Sequence, residues 1–112
     1  MRDDRERLRD IKAAIEEIEK YSSKGHAAFA ANELFQVWML HFLRIIGEAC
    51  RSLSEATREQ YRDVPWKDII GFRNLLVHQY FGIDLDMVWD IIRNDLPILK
   101  NQVEAILAQN EG

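Results

Sequence analysis

Cysteine is almost missing from this chain: Cys50 stands alone among 112 residues. No intramolecular disulfide can staple the fold, which suits a reducing cytoplasm. A long apolar run is missing too. The densest region, Leu34 to Ile46, is interrupted by Gln36, His41 and Arg44, far short of the roughly 18 unbroken residues that a membrane span needs. The stretch Met1 to Arg7 holds no apolar segment of the kind a secretory leader requires, so the expectation is a soluble, cytoplasmic protein. Nor is there an excess of basic charge. The 15 Lys and Arg against 19 Asp and Glu leave a net charge of -4, which argues against broad electrostatic adhesion to nucleic acid and, with it, against DNA as a partner. Any RNA contact has to come from a local basic patch. His26 and His41 lie in separate helical regions and, with Cys50, make no cluster with metal spacing; both read as structural, and no metal or other cofactor is expected. There is no low-complexity linker and no internal repeat. A length of 112 residues with 47% hydrophobic side chains suits one domain over residues 1–112 with a modest core.

What is present is helical periodicity, and nothing reads as a strand. Asp3 or Asp4 can cap a first helix whose Leu8, Ile11, Ile15 and Ile18 follow the spacing of a buried seam, ending near Tyr21 to Gly25. A second, longer helix is expected to begin between His26 and Asn32 and run to about Ser52. It carries Leu34, Val37, Trp38, His41, Phe42, Ile45, Ile46 and Ala49 and is read as the central, most buried element. Ser54 to Arg62 can hold a short helical turn. Pro65 then opens a third helix, since proline is tolerated at a helix start, and Gly82 can end it. Asp84 can cap a fourth helix carrying Val88, Ile91, Ile92, Leu96, Leu99, Val103 and Ile106, kinked at Pro97, which cannot donate to the Arg93 carbonyl. The expected class is all-α, an antiparallel bundle of four to five helices. Phe29, Phe35, Trp38, Phe42, Trp66, Phe72 and Trp89 are read mostly as core, with one or two left as interface anchors.

Chemistry concentrates in Arg73-Asn74-Leu75-Leu76-Val77-His78-Gln79-Tyr80. Arginine offers a planar fork of donors to a phosphate, and histidine can take up or release a proton near neutral pH. At about 3.6 residues per turn, Arg73, Val77 and Tyr80 share one side of a helix, with Asn74 and His78 stacked one turn apart beside them. Each has a bland reading: Arg73 as a surface ion pair, His78 as a helix-end histidine, Asn74 as a backbone hydrogen-bonder, Tyr80 as a core aromatic. Arg44 and Glu48, at i, i+4 spacing, are expected to pair with each other or line a cleft. Cys50 reads as a small buried hydrophobe.

The segment from Pro65 to Asp84, which contains this octet, resembles the signature of HepT-like proteins of the HEPN superfamily. Ile45-Ile46-Gly47-Glu48-Ala49-Cys50-Arg51-Ser52-Leu53-Ser54 is similar to a second segment of that family, and Met87-Val88-Trp89-Asp90-Ile91-Ile92 through Leu96-Pro97 to a third. The resemblance covers about two thirds of the chain closely. It implies a small helical homodimer acting as the toxin of a type VII toxin–antitoxin pair. Its activity would be a metal-independent endoribonuclease with Arg73 and His78 catalytic and Asn74 supporting. It also implies a partner, a minimal nucleotidyltransferase antitoxin of the MntA type, which neutralises the toxin by transferring AMP to the motif tyrosine, here Tyr80. A competing reading is a non-catalytic helical adaptor for such a nucleotidyltransferase, which the acidic net charge favours. A third is a nucleotide-binding helper in which Arg73 grips phosphate without proton transfer by His78.

Overall fold

Capping side chains set the helix boundaries. The computed structural model describes residues 3–78 and 82–111. Within them α1 spans Asp4–Ser22, α2 His26–Ala31, α3 Glu33–Ser52, α4 Glu55–Gln60 and α5 Trp66–His78. After these, α6 (Leu85–Asp90), a π-helical turn (Ile91–Asp95) and α7 (Leu96–Glu111) run end to end. The described residues are helical with no strand, as the periodicity predicts. The Asp3 carboxylate accepts from the Glu6 amide at 2.9 Å, and the Ser54 hydroxyl from Thr57 at 3.2 Å. Asp84 accepts from the amides of Asp86 and Met87 at 3.0 and 3.3 Å. Each satisfies amides that a helix start leaves open. Between α1 and α2 the chain turns through Gly25 at φ 94°, a conformation costly for any residue with a Cβ.

The second helix departs from expectation, because it is two. At Asn32 the backbone is extended (φ -125°, ψ 104°), and the Asn32 side chain caps α3 by accepting from the Phe35 amide at 3.0 Å. Gln36 reaches back to donate to the carbonyls of Phe29 and Ala30 at 2.9 and 3.2 Å. The break is thereby hydrogen-bonded on both sides. Pro97 is accommodated by a widened turn: the Leu96 amide donates five residues back to Ile91, a π register that absorbs the disruption just before the proline. The rod from Leu85 to Glu111, about 40 Å at roughly 1.5 Å per residue, accounts for the long dimension of 43 Å. The expected end of α5 at Gly82 falls across residues 79–81, outside the described residues.

Helix α3 lies between α1 and α5, and α1 packs in turn on α7. Leu8, Ile11, Ile15 and Ile18 of α1 are fully buried, and Val88, Ile92, Leu96, Leu99, Val103 and Ile106 are buried as their spacing predicts, with Ile91 only part-buried. Helix α3 is the main correction, for it is not buried on all sides. Of the eight positions singled out on it, only Ile46 and Ala49 are buried; Met39, Leu43, Gly47 and Cys50 complete the buried face. Leu34 is 79% exposed, and Val37 and Trp38 are each 44% exposed. Helix α3 therefore has two apolar sides, and the described residues bury one of them. Among the aromatics, Phe29, Trp66 and Trp89 are buried, while Phe35, Phe42 and Phe72 pack part-buried against the core. No helix among the described residues is long and apolar enough to cross a membrane.

Candidate active site

The motif helix α5 meets α3 at a crossing built on a missing side chain. A Cβ placed on Gly47 would lie 2.2 Å from the Cβ and 2.7 Å from the Cγ of Arg73. No other residue at position 47 lets the two backbones approach so closely. A glycine in mid-helix costs roughly 1 kcal/mol relative to alanine, and here close helix packing is what that cost obtains. Arg73 is thus held by its stem against the α3 backbone, with only 22% of its side chain exposed.

Its guanidinium is held from two directions. Nη2 pairs with Oε2 of Glu48, the next residue on α3, at 2.7 Å. Nη1 donates to Oδ1 of Asn74 at 3.1 Å. One hydrogen bond and one ion pair fix the fork from two sides, and the remaining N–H donors can face an anion. Glu48 does not pair with Arg44 as its i, i+4 spacing suggested. The approach of α5 over Gly47 places a second arginine closer to hand, in a short ion pair between the two helices. Arg44 and Arg51 are exposed on α3, one turn before and one turn after Glu48, so this surface carries three arginines around one carboxylate.

His78 is exposed at the described end of α5. Five residues separate it from Arg73, about 7.5 Å along the axis and roughly 140° around it. The structure joins Arg73 with Asn74, and His78 follows one helical turn beyond Asn74 on the same helix. Tyr80 lies outside the described residues. Beyond the α3–α5 crossing, a cavity of about 180 Å³ is lined by Val37, Leu40, His41, Arg44, Leu76 and Ile83. Next to it run the exposed Leu34, Val37 and Trp38 of α3, while Val77 of α5 is 45% exposed. His41 stacks on Trp38 with ring centroids 5.5 Å apart. The larger cleft of about 540 Å³ lies instead at the start of α5, among Arg58, Arg62, Lys67 and as many acidic side chains, away from the motif.

Two residues set aside in the sequence keep a structural role. His26 pairs with Asp86 at 3.5 Å and meets the edge of Trp89. The Cys50 thiol is pushed up to about 12 by burial, against a smaller opposing pull from Arg58, which leaves it without thiolate character. Among the described residues no group of three or more His, Cys, Asp and Glu is gathered so as to hold a metal ion. Gly47 and Glu48 are what the motif alone did not reveal. The available signal was a glycine inside a strongly periodic apolar helix, which usually marks close packing.

An all-helical domain that presents an arginine clamped at a helix crossing and a histidine one and a half turns on belongs to a recognisable class. Residues 11–106 match the model of the HepT-like family, described as ribonuclease HepT-like. A candidate RNase of Methanocaldococcus jannaschii is 38% identical over 96 residues, 86% of this chain and 88% of that one. A second, from Caldanaerobacter subterraneus subsp. tengcongensis, is 34% identical over 94 residues, 84% of each chain. Probable ribonuclease HepT of Thermococcus cleftensis is 31% identical over 100 residues, covering 88% of this chain and 91% of its own. No solved structure matches the chain. The protein belongs to the HepT-like ribonuclease family.

Proposed function

We propose that this protein is an endoribonuclease toxin that cleaves RNA through Arg73 and His78, is neutralised by a nucleotidyltransferase antitoxin, and works as a homodimer. The observation that carries the reading is the clamped Arg73 guanidinium, paired at 2.7 Å with Glu48 and set against Gly47, on the same helix as an exposed His78. The reaction needs no protein nucleophile and no metal. The RNA 2'-hydroxyl attacks the adjacent phosphorus, its proton passes to a base, and the P–O5' bond breaks as the leaving oxygen gains a proton. The products are a 2',3'-cyclic phosphate and a 5'-hydroxyl. His78 moves a proton in one of these steps, a role typically contributing 10² to 10⁴ in rate. Arg73 stabilises the charge that builds on the equatorial oxygens of the phosphorane-like transition state. Asn74 keeps the guanidinium in place. Exposed Arg44 and Arg51 supply the local basic patch that the net charge of -4 does not.

The apolar outer face of α3 supports the dimer. Leu34, Val37 and Trp38 are exposed on α3, Val37 beside Leu76 of the motif helix, and a second copy covering them would bring two Arg73–His78 sets to one cleft. With two His78 side chains in that cleft, one serves as acid and the other as base. The partner transfers AMP from ATP to the Tyr80 hydroxyl with release of pyrophosphate. The added phosphate sits two residues beyond His78, where it competes with the RNA phosphate for Arg73. The test is growth after induced expression of wild type and His78→Ala, each with and without the neighbouring nucleotidyltransferase. Arrest by the wild type alone, relieved by the partner or by the substitution, is expected. Harmless expression of the wild type would instead favour the adaptor. Intact mass of the co-expressed protein should show an adenylate-sized increment that Tyr80→Phe abolishes.

A further inference from the structure

We infer that Glu48 is a positioning residue for Arg73: its carboxylate, with Gly47 beside it, fixes the direction in which the guanidinium presents its remaining donors. The inference rests on the reading of Arg73 as the phosphate-binding group and extends it to α3. Three features carry it. The Glu48–Arg73 contact, at 2.7 Å, bridges two helices. The Arg73 stem already lies against the Gly47 backbone, so close that a Cβ at position 47 would stand 2.2 Å from the Arg73 Cβ, and only the outer torsions of the side chain remain to be set. Glu48 and Asn74 hold Nη2 and Nη1 respectively, and two anchors on one planar group leave it a single orientation.

A carboxylate is otherwise a poor choice at this place. Between the exposed Arg44 and Arg51 it repels the RNA backbone, and an uncharged residue would raise affinity. Glu48 therefore trades substrate binding for geometry, and that trade separates positioning from plain electrostatics. Removing its charge should leave KM unchanged or lower while kcat falls, because the interaction removed is realised in the transition state. A misdirected clamp costs up to the order of 100-fold in rate.

The experiment uses the full chain and a labelled oligoribonucleotide, with wild type, Glu48→Gln, Glu48→Asp, Arg73→Ala and the Glu48→Gln/Arg73→Ala double variant. The expected result is a kcat for Glu48→Gln lowered roughly 10- to 100-fold at equal or lower KM, with partial recovery in Glu48→Asp. In the Arg73→Ala background Glu48→Gln should add no further loss, because a residue acting through Arg73 has nothing to act on. An unchanged kcat in Glu48→Gln, or an equal loss in the Arg73→Ala background, overturns the inference. NMR of the Arg73 Nη groups gives a readout independent of activity: hindered rotation in the wild type and averaging in Glu48→Gln are expected, and identical spectra refute the positioning. Should the wild type fail to cut any RNA, the ribonuclease reading falls while these spectra still decide what Glu48 does. If Glu48→Gln does not fold, Glu48→Asp carries the same comparisons.

Discussion

Asp4 shows how a single residue joins two helices that are far apart in sequence. Its carboxylate accepts from the Ser54 amide at 3.0 Å and from the hydroxyls of Ser54 and Thr57, tying the start of α1 to the start of α4. Burial works against its charge, but these bonds and the nearby Arg7 prevail and hold the carboxyl below its ordinary value of 3.8. A lowered folded-state value means the stabilisation is complete above 3.8 and is lost as pH falls through the lower folded value. Asp4→Asn should therefore cost on the order of 1 kcal/mol at neutral pH, less than a buried charged bond because water screens it. Urea melts of both proteins across pH should show the gap closing below pH 3.8; a gap that persists unchanged in acid would contradict the assignment. Arg73 belongs at the same scale. Its identity as the site's arginine was legible from the motif, but its partner was not. Glu48 has Arg44 at helical spacing, and only the close approach over Gly47 makes the distant Arg73 the better one.

Among the elements, α1 and α3 show why a helical period sometimes locates the core and sometimes misplaces it. Helix α1 has one apolar stripe and charges elsewhere, so Leu8, Ile11, Ile15 and Ile18 could face only inward. Helix α3 is apolar on two sides, and periodicity alone cannot rank them. Of the positions singled out on it, Leu34, Val37 and Trp38 face outward and Phe42 and Ile45 pack only part-buried against the core, while Met39, Leu43 and Cys50 turn inward. The split at Asn32 was similarly hidden, because asparagine serves as a cap only when the residues beyond it, here Gln36, complete the hydrogen bonds. The exposed flank of α3 also carries the basic side chains that the whole-chain charge conceals. Replacing Arg44 or Arg51 by alanine should weaken RNA binding similarly for all sequences. It should also flatten the dependence of log affinity on log salt, by about 0.7 for each single-strand phosphate that the arginine no longer neutralises. An unchanged salt slope in both variants would remove these arginines from the RNA path.

For the whole molecule, the question is what covers the second apolar face of α3. With Trp38 44% and Leu34 79% exposed on the element that also positions Arg73, a homodimer through this face would build the substrate cleft and bury the stripe in one step. Trp38→Glu should convert a dimer to a monomer by light scattering and abolish cleavage while leaving helical content intact. A dimer that survives the substitution would place the interface elsewhere. The central claim remains that Arg73 and His78 cut RNA, and purified protein tests it most directly. Wild type, Arg73→Ala and His78→Ala are incubated with a defined RNA and the product ends identified. The account predicts 2',3'-cyclic phosphate ends from the wild type and rates lowered by about 10² to 10⁴ in His78→Ala, with a comparable loss in Arg73→Ala. Cleavage that continues undiminished in either variant would contradict it.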